Sequence, residues 1–449
     1  MTNKEFLYRK VIDDLIAWKN TPNHMPIIVK GARQIGKTEA IRFFAKKYYK
    51  SFIEINFIVN KQYKSIFDDG FDIDSIVKNI SFKNPTFKFI SGETLIFFDE
   101  LQEYPNCATS LKFFKQDGRF DVICSGSLMG INYKEIESVS VGYKEDYEMH
   151  SMDFEEYLWA KGYTNEHINE LLEYMLNVKP LPEIILETMF SCFTEHIVLG
   201  GMPAVVKSFI TNKNYSGTLQ MQRQLLKDYE EDAKKYAIGL DQAKILNVYR
   251  NIPVFLSKEN KKFQISKVTK GARNRDYIGI VDWLASAGII NVCYCLNFPE
   301  LPLKGNYTPN NYKIYFGDTG LLISSLDDEA QEDLRNNANF NIYKGAIYEN
   351  IVSEILVKQG YNLYFYKNEK GTVEMDFFIR DKNSLIPIEV KAQDGATISL
   401  NNLIIKEQYP DVKYGIKFCK KNIDYNGNFY TFPYFLAFLI KKFIVLKQT

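Results

Sequence analysis

The sequence predicts an α/β fold class. A doubly wound parallel sheet is expected over the first third, a helical region with winged-helix order in the middle, and a second α/β domain at the C-terminus. Three observations carry this. Apolar runs alternate with amphipathic stretches up to about residue 150, a glycine-containing loop is set between one such run and a helix, and two acid-bearing strands follow a helix near the end. At 449 residues the chain is about three times a ~150-residue domain, and the changes of pattern place boundaries at 1–152, 153–330 and 331–449.

Each element has a local reason. Ile27-Ile28-Val29 is a short buried strand, and Glu39 to Tyr49 is a helix with Ile41, Phe44 and Ala45 on one face. Phe52 to Phe57, Thr94 to Phe98 and Phe120 to Cys124 supply three more strands. From Asp153 to about Leu256 the pattern is helical, broken at Gly200-Gly201-Met202-Pro203. Helices are expected over Phe263–Val268 and Arg273–Ala287, with Gly288 to Leu296 as a hairpin arm. Helix, turn, helix and wing is the winged-helix order.

Composition narrows the function. A formal charge of +1 excludes a globally basic nucleic-acid coat, so such contacts would have to be local. Six cysteines are too few for a disulfide framework, and neither they nor the four histidines have metal-site spacing. The N-terminal ten residues lack the apolar segment of a signal peptide. The greasiest run, Phe432 to Ile440, is far shorter than the ~20 residues of a membrane span. A reduced, cytoplasmic protein without a membrane partner is expected.

Gly31-Ala32-Arg33-Gln34-Ile35-Gly36-Lys37-Thr38 fits G-x-x-x-x-G-K-[ST] at every defined position. In such a loop, backbone N–H groups wrap phosphate oxygens, Lys37 reaches the β- and γ-phosphates, and the Thr38 hydroxyl binds magnesium. The helix that follows adds a dipole favourable to anions. Thr94-Leu95-Ile96-Phe97-Phe98-Asp99-Glu100 is a buried strand ending in two acids. It would deliver Asp99 to the magnesium shell and Glu100 to the attacking water. The next strand ends at Ser125-Gly126-Ser127, where Ser125 could sense the γ-phosphate. ATP and magnesium are therefore the expected cofactors. Arg33 and Arg119 are the arginines near these elements, and a transition-state arginine is left unassigned.

These residues carry a resemblance. Gly-Ala-Arg-Gln-Ile-Gly-Lys-Thr, Phe-Phe-Asp-Glu-Leu-Gln, Ser-Gly-Ser-Leu and Met-Asp-Phe-Glu-Glu-Tyr-Leu are similar to those of a prokaryotic AAA-type (P-loop) ATPase family with a C-terminal domain of unknown function. His196 to Pro203, Tyr315 to Leu322 and Gly345 to Asn350 resemble it too, so the likeness spans nearly the whole chain. It implies a P-loop NTPase sheet and ATP hydrolysis. One departure is Val141-Gly142-Tyr143, where relatives are expected to place Gly-Arg.

Residues 258–275 hold seven basic side chains against Glu259. Lys267, Lys270, Arg273 and Arg275 would suit phosphate contacts of DNA or RNA, while a protein-facing or solvated surface is the competing reading. Near the C-terminus, Val373 to Ile379 is a strand whose period of two puts Glu374 and Asp376 on one face. Ile386 to Lys391 is a second strand, with Glu389 and Lys391 on one face. Metal-dependent phosphodiester cleavage needs such a set: Asp376 and Glu389 would hold magnesium and Lys391 would orient the water or stabilise charge. Glu349 could add a carboxylate from the preceding helix. The arrangement resembles the restriction-endonuclease-like PD-(D/E)xK fold. The sequence thus points to an ATP-hydrolysing switch joined to a nuclease-like domain acting on nucleic acid. The alternative is an ATPase whose C-terminal domain binds a protein partner or assembles with copies of itself without cleaving.

Overall fold

A computed structural model describes residues 6–127, 140, 142–236, 241–256, 277–338, 343–368, 371, 373–392 and 397–447. The chain divides into two units, Met1–Ser151 with Ser286–Gly288, and Met152–Ala285 with Ile289–Thr449.

In the first unit, α1 (Lys10–Asn20) precedes β1 (Ile27–Gly31), α2 (Lys37–Tyr48), β2 (Ser51–Asn56), α3 (Ile73–Lys83), β3 (Thr94–Asp99), α4 (Cys107–Asp117), β4 (Asp121–Ser127) and β5 (Glu145–Glu148). The strands form one sheet in the order β2-β3-β4-β1-β5, parallel at every pairing. Strands of a sheet covered on both faces read as continuous apolar runs, and β1 and β3 are buried at every residue. Helix α2 buries Ala40, Ile41, Phe44 and Ala45 and ends on Lys46 and Lys47, cations that suit a helix C-terminus. On one side of the sheet, Ile53, Ile55, Ile96, Phe98 and Val122 pack with Ile76, Ile80, Leu111 and Phe114. The expected doubly wound parallel sheet is present.

The second unit begins with α5 (Phe154–Ala160), whose Asp153 and Glu156 form a reciprocal capping box. There follow α6 (Asn165–Leu176), α7 (Glu183–Leu199), α8 (Pro203–Asn212), α9 (Thr218–Tyr236), α10 (Gln242–Leu256) and α11 (Ile278–Ser286). Then come β6 (Ile290–Leu296), β7 (Tyr307–Phe316), α12 (Thr319–Ser324), α13 (Ala330–Arg335), α14 (Tyr343–Lys358), β8 (Leu363–Lys367), β9 (Glu374–Asp381) and β10 (Ser384–Val390). The chain closes with α15 (Ile398–Ile405), β11 (Gly415–Cys419), β12 (Asp424–Tyr425), β13 (Phe429–Pro433) and α16 (Ile440–Lys447). Eight strands make a mixed sheet in the order β12-β13-β11-β10-β9-β8-β6-β7. One face packs Tyr364, Tyr366, Met375, Phe378 and Leu385 under Leu400 and Leu403 of α15.

This sheet corrects the expectation of a wing. Ile290 to Leu296 is an inner strand, antiparallel to β7 and parallel to β8, not the hairpin arm of a winged helix. Its side chains give the reason: Ile290, Cys293, Cys295 and Leu296 are buried, too apolar a set for a solvated arm. The sheet therefore spans the boundary expected at residue 330. The helix expected over Phe263–Val268, and Lys267, Lys270, Arg273 and Arg275, lie outside the described residues.

Three stretches that carried the resemblance meet in one buried knot. Helix α7 stops at Gly200, whose φ of 68° is a conformation glycine adopts without strain. A Cβ there would stand 2.1 Å from Asp318 Oδ1. Asp318 accepts the Gly201 N–H at 2.8 Å and caps α12 through the Leu321 N–H at 3.2 Å. From α14, Asn350 accepts the Phe316 N–H at 2.8 Å, and Glu354 accepts the Thr319 N–H and hydroxyl at 2.7 and 2.6 Å. Buried polar groups so matched specify one packing of α7, α12 and α14.

Candidate functional site

The phosphate loop joins β1 to α2 at the carboxyl edge of the first sheet, where ligands of open α/β sheets bind. Gln34 (φ 63°) and Gly36 (φ 90°) both take the left-handed conformation, which turns successive N–H groups to one side of the loop. Lys37 Nζ donates to the carbonyls of Gly31 at 3.0 Å and Ala32 at 2.7 Å. Burial pulls its pKa down to about 8, against the opposing pull of Glu100 and Asp99.

Asp99 ends β3 and collects donors from three other elements. The Thr38 hydroxyl lies 3.3 and 3.1 Å from its two oxygens, the Asn56 amide donates at 2.9 Å, and the buried Ser125 hydroxyl also donates to it. Asn56 pairs in register with Asp99 at the end of β2, and Ser125 lies on β4, the next strand. Ser125 thus stands beside the carboxylate expected to serve magnesium. A hydroxyl and a carboxylate facing each other below the loop are hard oxygen donors of the kind magnesium takes, so these residues fit that ion.

Glu100 follows in a left-handed conformation, φ 59°. A non-glycine residue there carries backbone strain and is worth a functional reading. The Gln102 amide donates to Glu100, while its oxygen accepts the Ser127 N–H at 3.1 Å. Gln102 thereby ties the acid to the end of β4. The sequence reading missed Asn56 and Gln102, and it missed Arg9. That buried guanidinium donates to the Ile35 carbonyl within the loop at 2.6 Å and to the His150 carbonyl at 2.7 Å. Arg119 lies instead at the amino end of β4, paired with Asp117 and Asp74, away from the loop edge.

In the second unit, Glu349, Asp376, Glu389 and Lys391 are brought together. Asp376 lies near the start of β9 and Glu389 near the end of β10, each one residue beyond the last register pair, Ile388 with Phe377. Asp376 accepts the Val390 N–H at 2.8 Å, and Glu389 Oε1 pairs with Lys391 Nζ at 2.8 Å. Glu389 Oε2 is buried without a hydrogen-bond partner, and burial raises the carboxyl's pKa despite Lys391 and Lys417. Glu349 accepts the Tyr315 hydroxyl at 3.2 Å.

A residue that the sequence reading did not single out enters this face. Lys313, on β7, is only 2% exposed; its Nζ lies 3.6 Å from Glu374 Oε1 and 4.8 Å from the centre of the Phe365 ring. Burial works against its charge, but Glu349, Asp376 and Glu374 outweigh burial and raise its pKa. The donor set fits a divalent ion less well than the Thr38–Asp99 pair does: the Lys313 ammonium stands 3.6 Å from Glu374, and Glu389 Oε1 is paired with Lys391 at 2.8 Å. Among the described residues, no group of three or more His, Cys, Asp or Glu is arranged to hold a metal ion.

Comparison with known proteins agrees with the first unit. The family model of an AAA domain matches residues 23–158, and models of two domains of unknown function, DUF8612 and DUF4143, match 191–332 and 344–435. No curated protein matches the chain. Among solved structures, the Walker-type ATPase PABY2304 of Pyrococcus abyssi is 13% identical, with a TM-score of 0.42 over 72% of this chain and 97% of that one. The ORC1 protein of Aeropyrum pernix, solved in complex with DNA, is 11% identical, with a TM-score of 0.30 over 74% and 93%. The Holliday junction branch migration motor RuvB of Thermotoga maritima is 10% identical, with a TM-score of 0.29 over 64% and 90%. Among the described residues, no helix is long and apolar enough to cross a membrane. The chain carries an AAA-type P-loop ATPase domain at its N-terminal end, followed by two domains of unknown function.

Proposed function

We propose that the protein is an ATP-binding and ATP-hydrolysing switch whose second unit is its output. The observation that carries this is the Thr38–Asp99 pair beneath the loop, with Glu100 one residue on. In this reading the loop N–H groups and Lys37 hold the phosphates, Thr38 and Asp99 hold magnesium, and Ser125 and Asn56 keep the Asp99 carboxylate oriented. Glu100, positioned by Gln102, polarises the attacking water. Magnesium would supply charge neutralisation on the phosphates. The test is ATP turnover and binding by Lys37→Ala and Glu100→Gln. The first should lose binding, and the second should keep binding and lose turnover by roughly 10²–10⁴-fold. Equal hydrolysis by wild type and both variants would refute the assignment.

For the output, the sequence favours a nuclease-like domain that acts on DNA or RNA with magnesium, through Asp376, Glu389 and Lys391 with Glu349. The basic residues Lys267, Lys270, Arg273 and Arg275 would serve as the nucleic-acid contact. A second reading, a module that binds a protein partner or another copy of the chain without cleaving, is favoured by one observation: the buried Lys313 among those carboxylates. Incubation with DNA or RNA and Mg²⁺ or Mn²⁺ separates them, since cleavage lost in Asp376→Asn would sink the second reading. A cytoplasmic location is part of the proposal and is supported by the six cysteines, too few for a disulfide framework in a chain of this length.

A further inference from the structure

Lys313 does not belong by sequence to the acid-bearing strands. It pairs with Cys293 on β6, and Cys293 pairs with Leu363 on β8, so the three residues form one row across the sheet. Along this row the lysine side chain runs over Phe365, two residues beyond Leu363, and ends 3.6 Å from Glu374 on β9. Tyr315, two residues further along β7, shares the face and donates to Glu349 of α14. Among the described residues, the carboxylates that act on Lys313 are Glu349, Glu374 and Asp376, and Lys391 acts on Asp376 and Glu349 as well. Glu374 is paired with Lys367 at 2.7 Å as well as with Lys313, Glu389 is paired with Lys391, and Lys417 acts on Glu389 from β11.

Among the described residues, Glu349, Glu374 and Asp376 are thus met by the ammoniums Lys313, Lys367 and Lys391. A divalent cation is drawn to a carboxylate cluster by its uncompensated negative charge. Where ammoniums already meet the carboxylates that attraction is weakened, and Lys313 would repel the ion as a like charge. A lysine is not buried without return either, because desolvating an ammonium is costly unless it is paired.

We infer that Lys313 is the resident cation of the C-terminal carboxylate cluster, holding Glu374, Asp376 and Glu349 together where a divalent metal would otherwise be needed. This deepens the non-cleaving reading of the second unit but is separable from it. A cluster that binds no metal yet cleaves nucleic acid would defeat that reading and leave the role of Lys313 standing.

The experiment is a Mn²⁺ titration of the full chain without nucleotide, followed by calorimetry and by electron paramagnetic resonance of the free ion. Wild type and Asp376→Asn should give the same result. Lys313→Met, which keeps the length of the side chain and removes the charge, should gain one saturable Mn²⁺ site, lost again in Lys313→Met/Asp376→Asn. Wild-type Mn²⁺ binding that depends on Asp376, or a folded Lys313→Met that gains no site, would overturn the inference. Stability gives a second test. Lys313→Met should lower the melting temperature by roughly 5–15 °C, as for a broken buried pair in a unit of this size. Adding Glu374→Gln should recover at least half of that. An unchanged melting temperature in Lys313→Met, or no recovery in the double variant, also overturns it.

Discussion

Removing Arg9 should separate the shape of the phosphate loop from its chemistry. The guanidinium is buried and donates to two carbonyls distant in sequence, Ile35 at 2.6 Å and His150 at 2.7 Å. Hydrogen bonds from a charged donor are worth about 1.5–3 kcal/mol each, and Arg9→Met would leave both carbonyls, that of Ile35 buried, without this donor. The loss should total about 3–5 kcal/mol in the first unit, lowering its melting temperature by roughly 10 °C. The Ile35 bond is the informative half. It fixes a carbonyl inside the loop, so its neighbouring N–H groups keep their aim without any contact between Arg9 and the nucleotide. If ordering the freed loop costs about 1–2 kcal/mol on binding, ATP affinity falls roughly 5–30-fold. Arg9→Lys, which can reach one carbonyl but not both, should fall between. Calorimetric binding of ATP, with thermal melting of the same samples, measures both effects. A lowered melting temperature with wild-type ATP affinity would refute the argument, because Arg9 would then brace the unit without shaping the loop.

Three further outcomes follow from the same geometry. His196 is fully buried with an unpartnered Nδ1, and burial, seconded by Lys358, lowers its pKa to about 3. The folded state thus resists a proton that the unfolded chain accepts near pH 6.5, so stability present at neutral pH is lost as pH falls from 6.5 toward 3. About 2 kcal/mol is lost by pH 5, and His196→Leu should flatten that part of a denaturant-measured pH profile. Lys37, with its pKa lowered to about 8, must be protonated to meet a triphosphate. ATP binding near pH 8 should take up a fraction of a proton and weaken at higher pH, which calorimetry in buffers of different ionisation enthalpy detects. If the segment 258–275 contacts duplex DNA, the log–log salt slope is about −0.9 per phosphate, and changing Lys267, Lys270 and Arg273 to Ala should flatten it.

The parts legible in the sequence were those whose chemistry is contiguous. Gly31 to Thr38 and Asp99-Glu100 each lie within a few residues, and strand periodicity was enough to put Asp376 with Glu374, and Glu389 with Lys391. Asn56 and Ser125 were harder because they meet Asp99 only through the order β2-β3-β4, which no local pattern encodes. Lys313 was harder still. In Tyr312-Lys313-Ile314-Tyr315 a period-two reading turns the lysine to solvent, whereas the covering helix α14 and the long row to Glu374 bury it. The wing was misread for a related reason. A strand pair following helices has the same local signature whether its partner is water or six further strands, and the buried cysteines of β6 were the signal that could have told them apart.

The two acid sites differ in how their strand-end carboxylates are met. The hydrogen-bond donors to Asp99 are neutral: two hydroxyls and an amide, from α2, β4 and β2. Neutral donors fix the direction of a carboxylate without cancelling its charge, which leaves Asp99 able to attract a cation beside the phosphates. In the second sheet Asp376 and Glu349 also meet neutral donors, the Val390 N–H and the Tyr315 hydroxyl, but the other carboxylates meet charged ones. Glu374 meets Lys313 and Lys367, and Glu389 meets Lys391, so orientation and neutralisation come from the same bonds. Replacing a neutral donor with a charged one turns a cation-attracting acid into half of an ion pair while the backbone plan stays the same. That distinction, more than the number of acids at each site, is the ground on which the first site is proposed as a magnesium–nucleotide centre and the second as one held by its own lysine.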